Sequence, residues 1–270
     1  FSKFNNEYNV LFAIMNFLVS EIVTYFYIFI VPFSRISAFM LAVPIFSLDA
    51  FNIRFRVMFS AVLTMLAVEI VDFNAELLSL GALVTEIIVQ IFIGLFSGYI
   101  LQIVNGAIAV GGQAISNSMG LGMANLMDPT LGNVPVISQI LIILATLIFI
   151  VVDGHLVLID ILMQSFVVFP IGQIFSLNII HNIFLEWSPL LFLGGLVISL
   201  PIMISVLLVN AGLGMITRSA PAMNIISVGF PAILLMGIIL LLIALPGMLG
   251  RIEIFWQDGL NMINSFYQRI

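Results

Sequence analysis

Residues 10–48 read VLFAIMNFLVSEIVTYFYIFIVPFSRISAFMLAVPIFSL, and between Val10 and Leu48 the only charged residues are Glu21 and Arg35. A helix crosses a bilayer with about 20 apolar residues, so this block is too long for one ordinary span. Pro32, Arg35 and Pro44 interrupt it. Proline removes a backbone donor and kinks a helix, so the block is expected to form two hydrophobic helices or one broken helix.

The same pattern repeats outward from this block. A polar link, Asp49 to Arg56, leads to a second apolar block from Val57 to Val71, and a third runs from about Leu80 to Val104. From Gly106 to Asn133 the chain turns to Gly, Ser, Asn and Met. Hydrophobic blocks then return at Val134 to Val152, Leu156 to Phe169, Pro189 to Val209 and Ile225 to Leu245, with Asp153-Gly154 as a turn signal between the first two. This predicts an all-α polytopic membrane protein of six to eight helices. A β-barrel is excluded, because the runs exceed the roughly 9 to 11 residues of a spanning strand and lack its two-residue alternation.

Composition agrees. Of 270 residues, 63% are hydrophobic and 7% charged, where a soluble domain carries about a quarter charged; mean hydropathy is +1.30. A water-facing surface could not be covered, so lipid or other protein must face much of the chain. Seven basic against thirteen acidic residues leave no basic stripe for nucleic acid. With so few, Arg54, Arg56, Arg218 and Arg251 do not settle topology by the positive-inside rule. No cysteine is present, which removes disulfides, thiolate nucleophiles and cysteine-ligated metals. The start, Phe1 followed by Lys3 and Glu7, reads as lacking a cleaved signal peptide.

Chemistry-bearing residues are sparse. Asp153, His155 and Asp160 could support proton transfer or a metal, yet their spacing matches no compact motif and His181 lies in another link. A turn, cap or interhelical contact is the expected role. Arg35, Glu21, Glu69 and Glu86 lie in or near apolar blocks, where a charge faces a bundle interior or a watery cavity; paired structural charges and a conduction path both remain open. No nucleophile–base pair or metal cluster appears, so neither an enzyme nor a cofactor is expected. Gly111-Gly112-Gln113 lacks the GKS/T that a phosphate cradle needs.

Small residues point to packing. Gly94 and Gly98 form a GxxxG pair that lets helices approach closely, and Gly194, Gly195, Gly212 and Gly214 extend that opportunity. The segment 106–133 joins flexible glycines to Met119, Met123 and Met127, whose four-residue spacing places them along one helical face. A compliant closure and an ordinary connector both fit. Residues 251–270 form an amphipathic tail, with Ile252, Phe255, Trp256, Leu260, Ile263, Phe266 and Ile270 at helical spacing. Trp256 and Tyr267 suit an interface, although scarce positive charge favours docking on protein over anionic lipid.

The chain resembles the FliR family of flagellar type III export-gate subunits. The resemblance spans nearly all 270 residues and rests on Arg35-Ile-Ser-Ala-Phe39, the Arg54-Phe-Arg56 link, Met119-Gly-Leu-Gly-Met123 with Asp128-Pro129, Asp153-Gly-His155, and Ala220-Pro-Ala-Met-Asn224 followed by Ser227-Val-Gly-Phe-Pro231. It implies a single domain over residues 1–270, built of kinked helical hairpins that join a helical export-gate complex. The implied partners are FliP and FliQ, with FlhB adjoining, together with inner-membrane lipid and unfolded flagellar export substrates. The implied location is the bacterial inner membrane at the flagellar basal body.

The resemblance also makes residues 106–133 the plug or gate, with Met119, Gly120, Gly122, Met123, Met127 and Asp128 as its residues. Structural or assembly roles fall to Gly94 and Gly98 as the GxxxG pair and, by the resemblance, to Arg35, Asp153, His155, Asn224, Gly229 and Pro231. Two competitors stand beside it. One is the related virulence injectisome subunit, and the other a secondary ion or solute transporter in which the embedded carboxylates form a polar path.

Overall fold

The computed structural model describes residues 2–46, 52–70, 80–121, 136–173, 176–219 and 225–269, with the side chains of the first helix described from Glu21 onward. Among these residues every regular element is a helix: α1 (Ser2–Ala42), α2 (Ile53–Ile70), α3 (Leu80–Ser118), α4 (Val136–Val151), α5 (Gly154–Val168), α6 (Leu177–Trp187), α7 (Leu190–Ser219) and α8 (Ile225–Arg269). Four stretches are long and apolar enough to cross a membrane: Glu21–Ala42, Gly81–Ser118, Asn178–Ile216 and Gly229–Arg269. The pair α4 and α5, bent by 68° at a two-residue break, adds a fifth if counted as one span. The chain is a polytopic all-α membrane protein.

Several helices outrun a bilayer. The 39 residues of α3 extend roughly 58 Å at ~1.5 Å per residue, nearly twice a hydrocarbon core of ~30 Å. Hydroxyl groups within the apolar helices bond back to their own turns, as Ser97 Oγ does to Ile93 O at 2.7 Å and Thr146 Oγ1 to Ile142 O at 2.9 Å. These hydroxyls are then not left bare in an apolar setting.

Two compact units divide the chain. The first holds residues 1–99, 160–176 and 267–270, and the second residues 100–159 and 177–266. In the first, α1 packs on α2 and on the early turns of α3. The expected break at Pro32 does not occur, since α1 continues through it to Ala42. One missing donor is tolerable where every other backbone bond has no water to replace it. Pro44 ends the helix instead, because its ring disfavours helical geometry at Val43.

In the second unit, the later turns of α3 pack against α4, α7 and α8. Here the glycines of 106–118 differ from the flexible connector the composition invited. They are helical, and they mark close approach. A Cβ on Gly111 would lie 3.0 Å from Gly195 O on α7, and one on Gly112 would lie 2.5 Å from Ser138 Cα on α4. Ser138 Oγ donates to Ala109 O at 3.0 Å across that contact.

The tail within α8 is likewise turned inward. Ile252, Trp256, Leu260, Ile263 and Phe266 are buried, while Gln257, Asp258, Asn261 and Asn264 are exposed. Trp256 is core rather than membrane interface: its Nε1 donates to Ala145 O at 3.1 Å.

Candidate functional site

In the first unit, Arg35 on α1 has no exposed surface. Its Nε donates to Gln90 Oε1 at 2.5 Å, its Nη1 to Ser165 O at 2.9 Å and Ser165 Oγ at 3.1 Å, and its Nη2 to Phe169 O at 3.0 Å. The Phe166 ring lies 4.3 Å from the guanidinium carbon, a cation–π distance. A planar fork of donors is what such a set of carbonyls requires, and lysine could not reproduce it.

Charge compensation arrives through a relay. Gln90 Nε2 donates to Glu86 Oε1 at 2.7 Å, and the same oxygen accepts the Gly172 amide at 3.1 Å. The relay therefore closes a ring from Arg35 through Gln90 and Glu86 to Gly172, and back along the backbone to Phe169. Gly172 takes φ +90°, a left-handed conformation that glycine allows. The ring pins the turn after α5 against α1 and α3.

The GxxxG pair serves the same contact. A Cβ on Gly94 would collide with Arg35 O and lie 3.0 Å from Ala38 Cβ; one on Gly98 would meet Ala42 Cβ and lie 3.0 Å from Val43 N. The absence of both side chains lets α1 come close enough for Arg35 to cross to Gln90. Nearby, Tyr267 Oη lies 2.8 Å from Ser97 Oγ, and Tyr267 is buried.

In the second unit, α3 ends in a defined cap. Gly120 N donates to Asn117 O and Leu121 N to Ser116 O, each at 3.1 Å, while Gly120 takes φ +79°. This is a Schellman motif, in which glycine supplies the left-handed residue after the helix and the last carbonyls find partners. Met119, just before the turn, is fully buried. Its side chain fills the notch left by Gly237 on α8, where a Cβ would lie 2.6 Å from Met119 Cε. Phe230, next to Gly229 and Pro231 on α8, flanks Gly120. Gly122, Met123, Met127, Asp128 and Asn224 lie outside the described residues.

Asp153 and His155 sit at the α4–α5 break. Asp153 takes φ +55°, a conformation an aspartate tolerates better than most side chains. A Cβ on Gly154 would lie 2.6 Å from the Phe149 ring, which packs edge-on to Trp256 at 4.9 Å between centroids. The Asp-Gly pair thus makes the turn and leaves room for an aromatic core. His155 Nδ1 is buried and meets no hydrogen-bond partner among the described residues. A general base is usually oriented by a partner at that nitrogen.

Sequence reading missed Gln90, Ser165, Phe166 and Phe169 as partners of Arg35. The four-residue spacing of Glu86 and Gln90 was the available signal. The embedded carboxylates do not gather: Glu21 and Glu69 are exposed, and Glu86 is tied to Gln90 and Gly172. Among the described residues, no group of three or more His, Asp or Glu side chains could hold a metal.

The family model described as bacterial export proteins, family 1, matches residues 26–259. The flagellar biosynthetic protein FliR of Pectobacterium carotovorum is 37% identical over 219 residues, covering 80% of this chain and 83% of that protein. Its counterpart in Escherichia coli is 35% identical over 178 residues, covering 64% and 67%. The FliR of Buchnera aphidicola from Acyrthosiphon pisum is 30% identical over 249 residues, covering 91% and 95%.

Proposed function

We propose that this chain, which belongs to the bacterial export proteins, family 1, is a non-enzymatic core subunit of the flagellar type III export gate. In this reading it forms part of the channel that passes unfolded flagellar proteins across the inner membrane. It assembles with FliP and FliQ, with FlhB adjoining, at the flagellar basal body. One observation carries the reading: the family match spans residues 26–259, and flagellar relatives cover 80% and 91% of the chain rather than one motif.

The physics supports such a role. Helices far longer than a bilayer, with apolar faces left open, fit a subunit that buries those faces on neighbours. Residues 106–133 are the gate segment of this reading. Met119 is its buried root, Gly120 supplies a left-handed turn, Gly122 gives close backbone approach, Met123 and Met127 give an apolar seal, and Asp128 belongs to the same segment. Residues 251–270 are a docked tail. Arg35, Gly94, Gly98, Asp153, His155, Asn224, Gly229 and Pro231 hold the fold or the assembly.

The test is genetic. A host lacking this chain is expected to secrete no flagellar substrate and build no filament, with both restored by a plasmid copy. Normal secretion in the deletion strain overturns the proposal.

A further inference from the structure

We infer that α8 leaves its apolar surroundings at Arg251 and that the face formed by Gln257, Asp258, Asn261 and Asn264 stands in water. The helix has 45 residues and extends roughly 68 Å at ~1.5 Å per residue, more than twice the ~30 Å of a hydrocarbon core. Part of it must meet something other than lipid tails.

Its two parts differ in sequence and in surface. Residues 225–250 carry no charged side chain, whereas Arg251, Glu253, Asp258 and Arg269 follow. In the first part the exposed side chains are large and apolar, among them Leu235, Ile238, Leu242 and Ile243. Beyond Ile254 that pattern ends. Every exposed residue there, among those described, is polar: Gln257, Asp258, Asn261, Asn264, Gln268 and Arg269. The four amides are spaced by four, three and four residues, which draws them into one stripe along the helix.

That stripe is locked from behind. Trp256 Nε1 donates to Ala145 O at 3.1 Å, a Cβ on Gly259 would lie 3.0 Å from Val104 of α3, and Ile252, Ile263 and Phe266 are buried. Turning the amides inward would expose this core, so they are held outward. Gln257 Nε2 donates to Glu253 Oε1 at 3.3 Å along the same part of the helix. An amide or a carboxylate covered by lipid or by an apolar partner face loses its hydrogen bonds to water and gains none in return. A row of such groups, with no large apolar side chain exposed between them, selects water as what lies against it. Two bodies of water fit: the bulk phase beside the membrane, and a water-filled space inside an assembly.

The chain has no cysteine, so single introduced thiols report each position. Asn261→Cys and Asn264→Cys lie on the stripe, and Leu242→Cys and Ile243→Cys on the apolar part. Each full-length variant is expressed in host membranes with its natural partners, and open membrane fragments are treated with a charged, membrane-impermeant maleimide. The two stripe positions are expected to react about a hundredfold faster, because an apolar setting that raises a thiol pKa by about two units removes that factor in thiolate. Complete labelling of all four after denaturation shows that the slow sites are covered rather than lost. A maleimide carried on a long polyethylene glycol chain separates the sources: its reaction at the stripe assigns bulk water, and reaction of the small reagent alone assigns an enclosed water-filled space.

The four positions are exposed in the folded chain, so none of the substitutions opens the core. Stripe positions as slow as Leu242→Cys and Ile243→Cys overturn the inference, since a partner would then cover the amides. Four equally fast positions overturn it as well, because no boundary would lie at Arg251.

Discussion

Replacing Arg35 with methionine keeps much of the buried volume and removes every donor of the guanidinium. Two acceptors are then stranded in the first unit, Gln90 Oε1 and Phe169 O, while Ser165 O keeps the Phe169 amide. A buried acceptor left unpaired costs about 1–3 kcal/mol, and the lost contact with Phe166 adds about 1 kcal/mol. Gln90 can recover part of this by turning its amide, and methionine regains some packing. A net loss of about 4 kcal/mol follows, within the ~3–5 kcal/mol seen when one partner of a buried charged pair is removed.

That is a large share of a total stability of about 5–15 kcal/mol. At about 2–4 °C per kcal/mol for a chain of this size, the melting temperature in detergent should fall by about 8–16 °C. Arg35→Lys keeps the charge and loses the fork, so it should recover less than half of the loss. Intrinsic fluorescence melting of purified protein reads both. A melting temperature for Arg35→Met within about 3 °C of the parent would refute the clamp; full recovery by lysine would show that charge matters and geometry does not.

The glycines should separate by environment. Gly94→Leu, which forces α1 off Arg35 O and Ala38, is expected to cost about 1–3 kcal/mol and to lower the yield of folded protein on size-exclusion chromatography. Gly120→Ala meets the Phe230 ring only at 3.4 Å, so its cost is the left-handed backbone alone, about 1–2 kcal/mol by thermal melting. Gly212→Ala, with nothing within 4 Å, should stabilise α7 by about 0.4–1 kcal/mol. His155→Ala removes an imidazole whose Nδ1 has no hydrogen-bond partner among the described residues, and its melting temperature is expected within about 3 °C of the parent; a larger fall would reveal a contact that His155 makes.

The membrane class, the all-α fold and the helix-packing role of small residues were legible because each follows from local pattern. Long apolar runs set helices, and GxxxG sets close approach. The fate of individual interruptions was not, since that depends on what packs alongside. Pro32 and Pro44 look alike in sequence, yet only Pro44 ends α1. Gly111 and Gly112 fall in the stretch that reads as flexible glycines and prove to be contact points, because α7 and α4 come from distant positions in the chain. Arg35 was recognisable as an expensive buried charge, but its partners Ser165 and Phe169 lie 130 and 134 residues away. Trp256 and Tyr267 carried the pattern of interfacial residues, and only the fold turned them inward.

Purification of the tagged chain from host membranes in mild detergent, followed by mass-spectrometric identification and quantitation of what comes with it, tests the central claim most directly. An export-gate subunit is expected to bring FliP and FliQ in fixed ratio through a size-exclusion column. Recovery of the chain alone, as a stable species that moves an ion or small solute across liposomes by itself, would contradict the account.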